Sequence, residues 1–133
     1  MSTNYYLHID ECASCGHSRA SLHIGKSSYG WCFSLAVYRN MVFLDWTTKL
    51  WIRTLQDWKE AWQHGVIRDE YHEIISPAKM LEIITCRSYP TPPENMNKHS
   101  THGPNNLMRN VIDNIHCIGH GEGPWDYIIG DFS

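Results

Sequence analysis

Long apolar runs are missing from this chain. No stretch approaches the roughly 20 residues that a membrane-crossing helix needs. The opening Met1-Ser-Thr-Asn-Tyr-Tyr lacks the basic segment and apolar run of a secretory signal. The expectation is a protein with no membrane association that acts in the cytoplasm. Charge is also scarce: charged residues make up 19% of the chain and the net charge is −3, so no broad positive field exists and nucleic acid is an unlikely partner. The cysteine count is odd, at five, which excludes a complete disulfide framework; without an export signal the thiols read as metal ligands and buried side chains. Proline is thin overall, and four of the six fall within residues 88–104, a polar stretch predicted to be a flexible loop. Phenylalanine numbers only three, yet six tryptophans and seven tyrosines supply more aromatic bulk than a disordered chain carries.

The length of 133 residues fits one domain with a modest core. Residues 5–9 read as a first strand. Residues 21–25 and 30–38, rich in β-branched and aromatic types, read as a hairpin whose turn is the intervening Gly25-Lys-Ser-Ser-Tyr-Gly30. Thr54 and Asp57 have capping-box spacing, and Leu55, Trp58 and Trp62 fall three and four apart, predicting a helix over 55–63 with its aromatic stripe toward the core. Residues 66–75 suggest a smaller exposed hairpin turning near 69–72. Ser76-Pro77 then opens a second helix, with Met80, Leu81, Ile83 and Ile84 as its apolar face, running to about Cys86. Residues 107–112 and 127–129 are candidate closing strands. The fold class expected is α+β: a small antiparallel sheet with about two helices.

Two phrases share a grammar, Cys12-Ala-Ser-Cys15-Gly16 and Cys117-Ile-Gly-His120-Gly121. In each, two soft or borderline donors stand two residues apart and a glycine follows, so that a tight turn can aim both at one ion. Together they complete a tetrahedral Cys3His shell of Cys12, Cys15, Cys117 and His120, the closed arrangement of structural zinc. His116, His17 and His23 are alternative ligands. Such a site would staple the two ends of the domain with on the order of 10 kcal/mol. Cys32 and Cys86 read as small apolar core residues.

Catalytic patterns fail on particular residues. Gly25-Lys26-Ser27 resembles the tail of a phosphate-binding loop, but Ala20 stands where the first glycine is required. The Leu-His-Ile phrases around His8 and His23 lack the following hydroxyl residue of paired-histidine phosphoesterases, having Asp10 and Gly25 there. His99, His102 and Asn106 ahead of Cys117 resemble part of an HNH-type nuclease over about twenty residues, without the Asp-His pair that would hold the catalytic metal. Glu122 beside His120 could serve as a base only if zinc kept an open position.

The phrases Asn4-Tyr-Tyr-Leu, Cys-x-x-Cys-Gly, Leu22-His-Ile-Gly-Lys-Ser-Ser, Gly30-Trp-Cys-Phe-Ser-Leu, Ile67-Arg-Asp-Glu-Tyr and His116-Cys-Ile-Gly-His-Gly-Glu-Gly-Pro-Trp-Asp resemble those of small proteins encoded by bacteriophages and prophages. The resemblance spans most of the chain outside residues 88–104. It brings no activity and no functional residue with it. It implies a setting, the bacterial host cytoplasm, where an accessory protein binds and modulates or inhibits a host protein, including one of defence. The sequence therefore points to a zinc-containing binding protein with a host protein as partner. Trp46, Trp51, Trp125 and the turn at 69–73 are its candidate contacts. The alternative is a zinc-supported enzyme or sequestering protein acting on a nucleotide or nucleic acid, with His8, His23, Lys26 and Glu122 converging in one pocket.

Overall fold

The computed structural model of the chain describes residues 2–9, 20–43, 49–94, 96, 98–130 and 132. In chain order these form β1 (Ser2–Ile9), β2 (Ala20–Ser28), β3 (Phe33–Ala36), β4 (Val42–Phe43), β5 (Lys49–Leu50), α1 (Leu55–Ala61), β6 (Gly65–Asp69), β7 (Ile74–Ile75), α2 (Pro77–Thr85), β8 (Ser100–His102), β9 (Met108–Asn110), β10 (Cys117–His120) and β11 (Trp125–Ile128). The result is an α+β fold, as expected. Among the described residues seven strands make one sheet in the order β10-β11-β3-β2-β1-β6-β7. Every neighbouring pair is antiparallel except β11 with β3, where Trp125 lies beside Phe33.

Alternation along β1 defines the two faces. Tyr5, Leu7 and Ile9 are buried, and the intervening Asn4, Tyr6 and His8 are only partly covered. The inner face takes Ile24, Phe33, Leu35 and Ile67 from neighbouring strands. Onto it pack Leu55, Trp58, Ala61 and Trp62 at and after α1, with Met80 and Ile84 of α2, in one apolar cluster. Trp58 is fully buried, and its indole Nε1 donates to Ala36 O at 2.7 Å, which satisfies a polar group that the core would otherwise strand.

Both helix starts follow the sequence. Thr54 accepts from Asp57 N while Asp57 accepts from the Thr54 backbone, so the predicted capping box is complete. The α-helix ends at Ala61 and continues as a single 3-10 turn, Trp62–His64. Ser76 Oγ accepts from Lys79 N, and Pro77 occupies the first turn, where its missing N–H costs nothing. The small hairpin of β6 and β7 also forms, with Asp69 Oδ1 accepting from Tyr71 N and Glu73 N across its exposed turn.

Several expectations change. The turn after β2 is not at residues 25–30: β2 runs on to Ser28, and the chain reverses at Tyr29 and Gly30, with Gly30 at φ +83° and Trp31 N donating to Ser28 O. Gly25 is a strand glycine because a Cβ there would stand 2.3 Å from both the Phe33 ring and Ser34 O. Cys86 is exposed, not core, since it caps α2 beyond the turn that buries Met80 and Ile84. The segment predicted as one long loop contains β8, paired with β9 through Thr101 and Arg109. Its neighbouring 3-10 turn is tied back by Asn105 Nδ2 to Arg87 O and Asn106 Nδ2 to Tyr89 O.

Candidate functional site

The outer face of the sheet collects the polar residues. Register places Asn4 opposite Lys26, Lys26 opposite Ser34, and Ser34 beside Asp126, a row running from β1 to β11. At β10 the row continues because of a bulge. Cys117 pairs with Ile128 and His120 with Asp126, leaving Ile118 as the extra residue, so Cys117 and His120 share one face despite standing three apart. The predicted knuckle is therefore a bulged strand, not a tight turn. Its trailing glycine has a different duty: a Cβ on Gly121 would lie 1.9 Å from the Trp125 indole, which folds across Gly121 and Gly123.

Asp126 is the centre of this region. It is fully buried, and its Oδ1 accepts from Arg109 Nε at 2.9 Å while Oδ2 accepts from Asn110 N at 2.9 Å. Arg109 also donates through Nη2 to Gly123 O and Trp125 O, locking the β10–β11 turn to β9. His120 Nε2 donates to Asn110 O at 2.7 Å, which leaves Nδ1 of the neutral ring as the nitrogen with a lone pair. The Cys117 Sγ stands 3.8 Å from that same carbonyl and 3.4 Å from Gly119 O. Burial pushes the Cys117 thiol up to about 11, with the Gly119 contact opposing and Asp126 reinforcing, so the sulfur is protonated at neutral pH unless a metal displaces the proton. Cys32 is likewise buried and pushed up to about 12 by burial and then by Asp126, which makes it inert, as the sequence suggested.

The zinc ligands fall on both sides of what is described. Cys12, Cys15 and the alternative His17 lie outside the described residues, and among those described no three His, Cys, Asp or Glu side chains converge as a metal-holding group. Cys117 Sγ and His120 Nε2 both approach Asn110 O, and a cysteine with a histidine supplies the donor types of half of a Cys3His shell. His116 is exposed in the loop before β10, with its ring edge-on to Phe132.

The four residues expected in one pocket are not brought together. His23 and Lys26 are neighbours along β2, where His23 Nε2 donates to Asn4 Oδ1 at 2.9 Å and its ring packs between Tyr6 and Phe132. His8 lies farther along the same face, opposite Ser21 and Val66. Glu122 is exposed at the β10–β11 turn. Of the four, Lys26 alone lines the open cleft on this face, with Ser28, Trp31, Ser34, Asn110, His116 and Phe132.

A second surface escaped sequence reasoning. Between β9 and β10, Val111, Ile112 and Ile115 are exposed, Ile115 at 80%, and Ile118 of the β10 bulge is exposed beyond them. Asp113 fixes this segment: its Oδ1 accepts from the backbone N–H of Ile115, His116 and Cys117. These bonds, that from His116 foremost, hold its carboxyl below the usual aspartate value. Ile115 borders a cleft of about 350 Å³ lined by Val37, Tyr38, Arg39, Ile129 and Gly130. The available signal was the density of aliphatics between Asn and Asp residues, with neither strand nor helix period. Of the contacts named from sequence, Trp46 lies outside the described residues. Trp51 is exposed and stacked by Arg53 at 4.2 Å, and Tyr71 of the 69–73 turn is exposed. Trp125 is instead partly buried against the core, its Nε1 bonded to Tyr127 Oη, because the two glycines leave room for it.

Comparison with known proteins finds no match: no protein-family model, no curated protein and no solved structure aligns with the chain.

Proposed function

We propose that this is a phage-type accessory protein that works by contact, binding and modulating a protein of the bacterial host. The observation that carries the reading is the 111–118 segment: three large aliphatic side chains exposed on a loop whose shape Asp113 fixes, a fourth, Ile118, on the β10 bulge, and a cleft beside Ile115. Exposed aliphatics on a pre-ordered loop lose little entropy on docking, which favours them as an interface core. The test compares host lysate proteins retained by the immobilised wild-type chain and by Ile115→Lys, followed by titration of the purified candidate. One host protein lost specifically with Ile115→Lys, and binding the wild type directly, is expected. Identical retention by both forms would overturn the reading.

The same reading keeps a structural zinc held by Cys12, Cys15, Cys117 and His120. It is supported by the bulge at Ile118, which turns Cys117 and His120 to one face. One zinc per chain by elemental analysis is expected, and a fall in thermal midpoint on chelation. A metal-free chain with an unchanged midpoint would remove the staple.

A further inference from the structure

The outer-face cleft is lined by none of the exposed aliphatics of the contact segment and by neither Cys117 nor His120, and meets that segment only at His116. Lys26 and Ser34, adjacent across β2 and β3, form its floor. Ser28, Trp31, Asn110, His116 and Phe132 complete the lining. Its volume of about 310 Å³ falls at the lower end of the ~300–1,000 Å³ typical of small-ligand sites. The chemistry is one-sided. The lining holds an ammonium, two hydroxyls, an amide, an imidazole and two aromatic rings, and no carboxylate among the described residues. Among the described residues no hydrogen bond or ion pair engages the Lys26 side-chain ammonium. Asp126, the nearest buried carboxylate along the row, is already engaged by Arg109 and Asn110.

The larger cleft beside α2, about 420 Å³, is less suited to an anion. Its Lys79 pairs with Glu82 at 3.5 Å, and two of the Arg87 nitrogens donate to Trp31 O and Ser28 O. The last carbonyls of α2 also add negative charge there.

We propose that the Lys26 cleft binds a phosphorylated ring compound the size of a nucleoside monophosphate. The phosphate is held by the Lys26 ammonium with the Ser28 and Ser34 hydroxyls, and the ring lies against Trp31 and Phe132. A phosphate's three terminal oxygens accept several bonds at once, which matches donors crowded around a cation, and a base offers a π-face to either aromatic. The inference stands apart from the contact reading, since no residue of the 111–118 aliphatic group belongs to the cleft lining.

Calorimetric titration of the full chain at low salt with adenosine monophosphate, inorganic phosphate and adenosine tests it. Adenosine monophosphate binds with Kd below about 1 mM, and each half alone binds at least about tenfold more weakly. Lys26→Met lowers the nucleotide affinity about tenfold or more with an unchanged thermal midpoint. Trp31→Leu weakens nucleotide binding and leaves that of inorganic phosphate unaltered. Absence of nucleotide heat up to about 10 mM, or a Lys26→Met chain that binds as well as wild type, overturns the proposal. Phosphate binding as tight as nucleotide binding removes the ring, and adenosine binding as tight as nucleotide binding removes the anion site.

Discussion

Replacing Asp126 with alanine leaves the Arg109 guanidinium, only 13% exposed, without its counter-ion, and leaves Asn110 N–H without its acceptor. Breaking one side of a buried, hydrogen-bonded ion pair costs about 3–5 kcal/mol, because the surviving charge is stranded in a medium that solvates it poorly. For 133 residues, an unfolding entropy of about 2.1 cal/mol/K per residue converts this to a fall of roughly 10–18 °C in thermal midpoint. The contrast is the exposed Lys79–Glu82 pair, 57% and 59% accessible, where Lys79→Ala changes stability by no more than about 0.5 kcal/mol. The assay is urea and thermal unfolding of Asp126→Ala, Arg109→Met and the double variant. Arg109→Met is itself destabilised, because it leaves the fully buried Asp126 carboxylate without its counter-ion and takes one donor each from Gly123 O and Trp125 O, which keep the backbone donors Trp125 N and Gly121 N; the double variant loses much less than the two singles combined. If the losses add, or if Asp126→Ala behaves like Lys79→Ala, the buried pair does not hold β9 to β11.

Gly121→Ala forces the Trp125 indole from its place and destabilises by about 1–3 kcal/mol in denaturant unfolding. Gly119→Ala, whose added Cβ meets Tyr127 at an ordinary 3.5 Å, is close to neutral. Asp113 contributes order to its loop above the ordinary aspartate value of 3.8, since its folded carboxyl is depressed. That contribution fades as pH falls through the lower folded value, so the amide resonances of Ile115, His116 and Cys117 titrate together with a midpoint below 3.8. Trp58→Phe strands Ala36 O, whereas Trp62 Nε1 is buried without a partner among the described residues. Trp58→Phe therefore costs about 1–2 kcal/mol more than Trp62→Phe in the same unfolding assay.

What was legible in the sequence was what is decided locally. Thr54 with Asp57 and Ser76 with Pro77 fix helix starts within one turn, and Asp69 fixes a tight reversal, so each could be read from a few neighbours. Gly25 was misread because glycine marks turns and crowded strand positions alike, and the Phe33 ring that crowds it becomes a neighbour only after β3 folds back. The bulge at Ile118 and the exposure of Cys86 likewise depend on where a strand partner or helix end falls. The Asp126–Arg109 pair and the cleft over Lys26 join residues distant along the chain, and no spacing rule encodes either. Cys117 and His120 were singled out for donor type and spacing; that they share a face comes from strand pairing.

The parallel neighbours β3 and β11 set an order of assembly. Phe33, Ser34 and Leu35 are synthesised early and β3 pairs with β2 on one side, yet on its other side the partner segment begins at Pro124, whose carbonyl accepts from Phe33 N, and β11 sits inside the sheet between β3 and β10. While the ribosome is still making the intervening segment, β3 presents a bare apolar edge. Closure of that gap is a late, long-range event of the kind that slows folding. During translation, this edge is the position at which a chaperone or a second nascent copy would compete with the protein's own later residues.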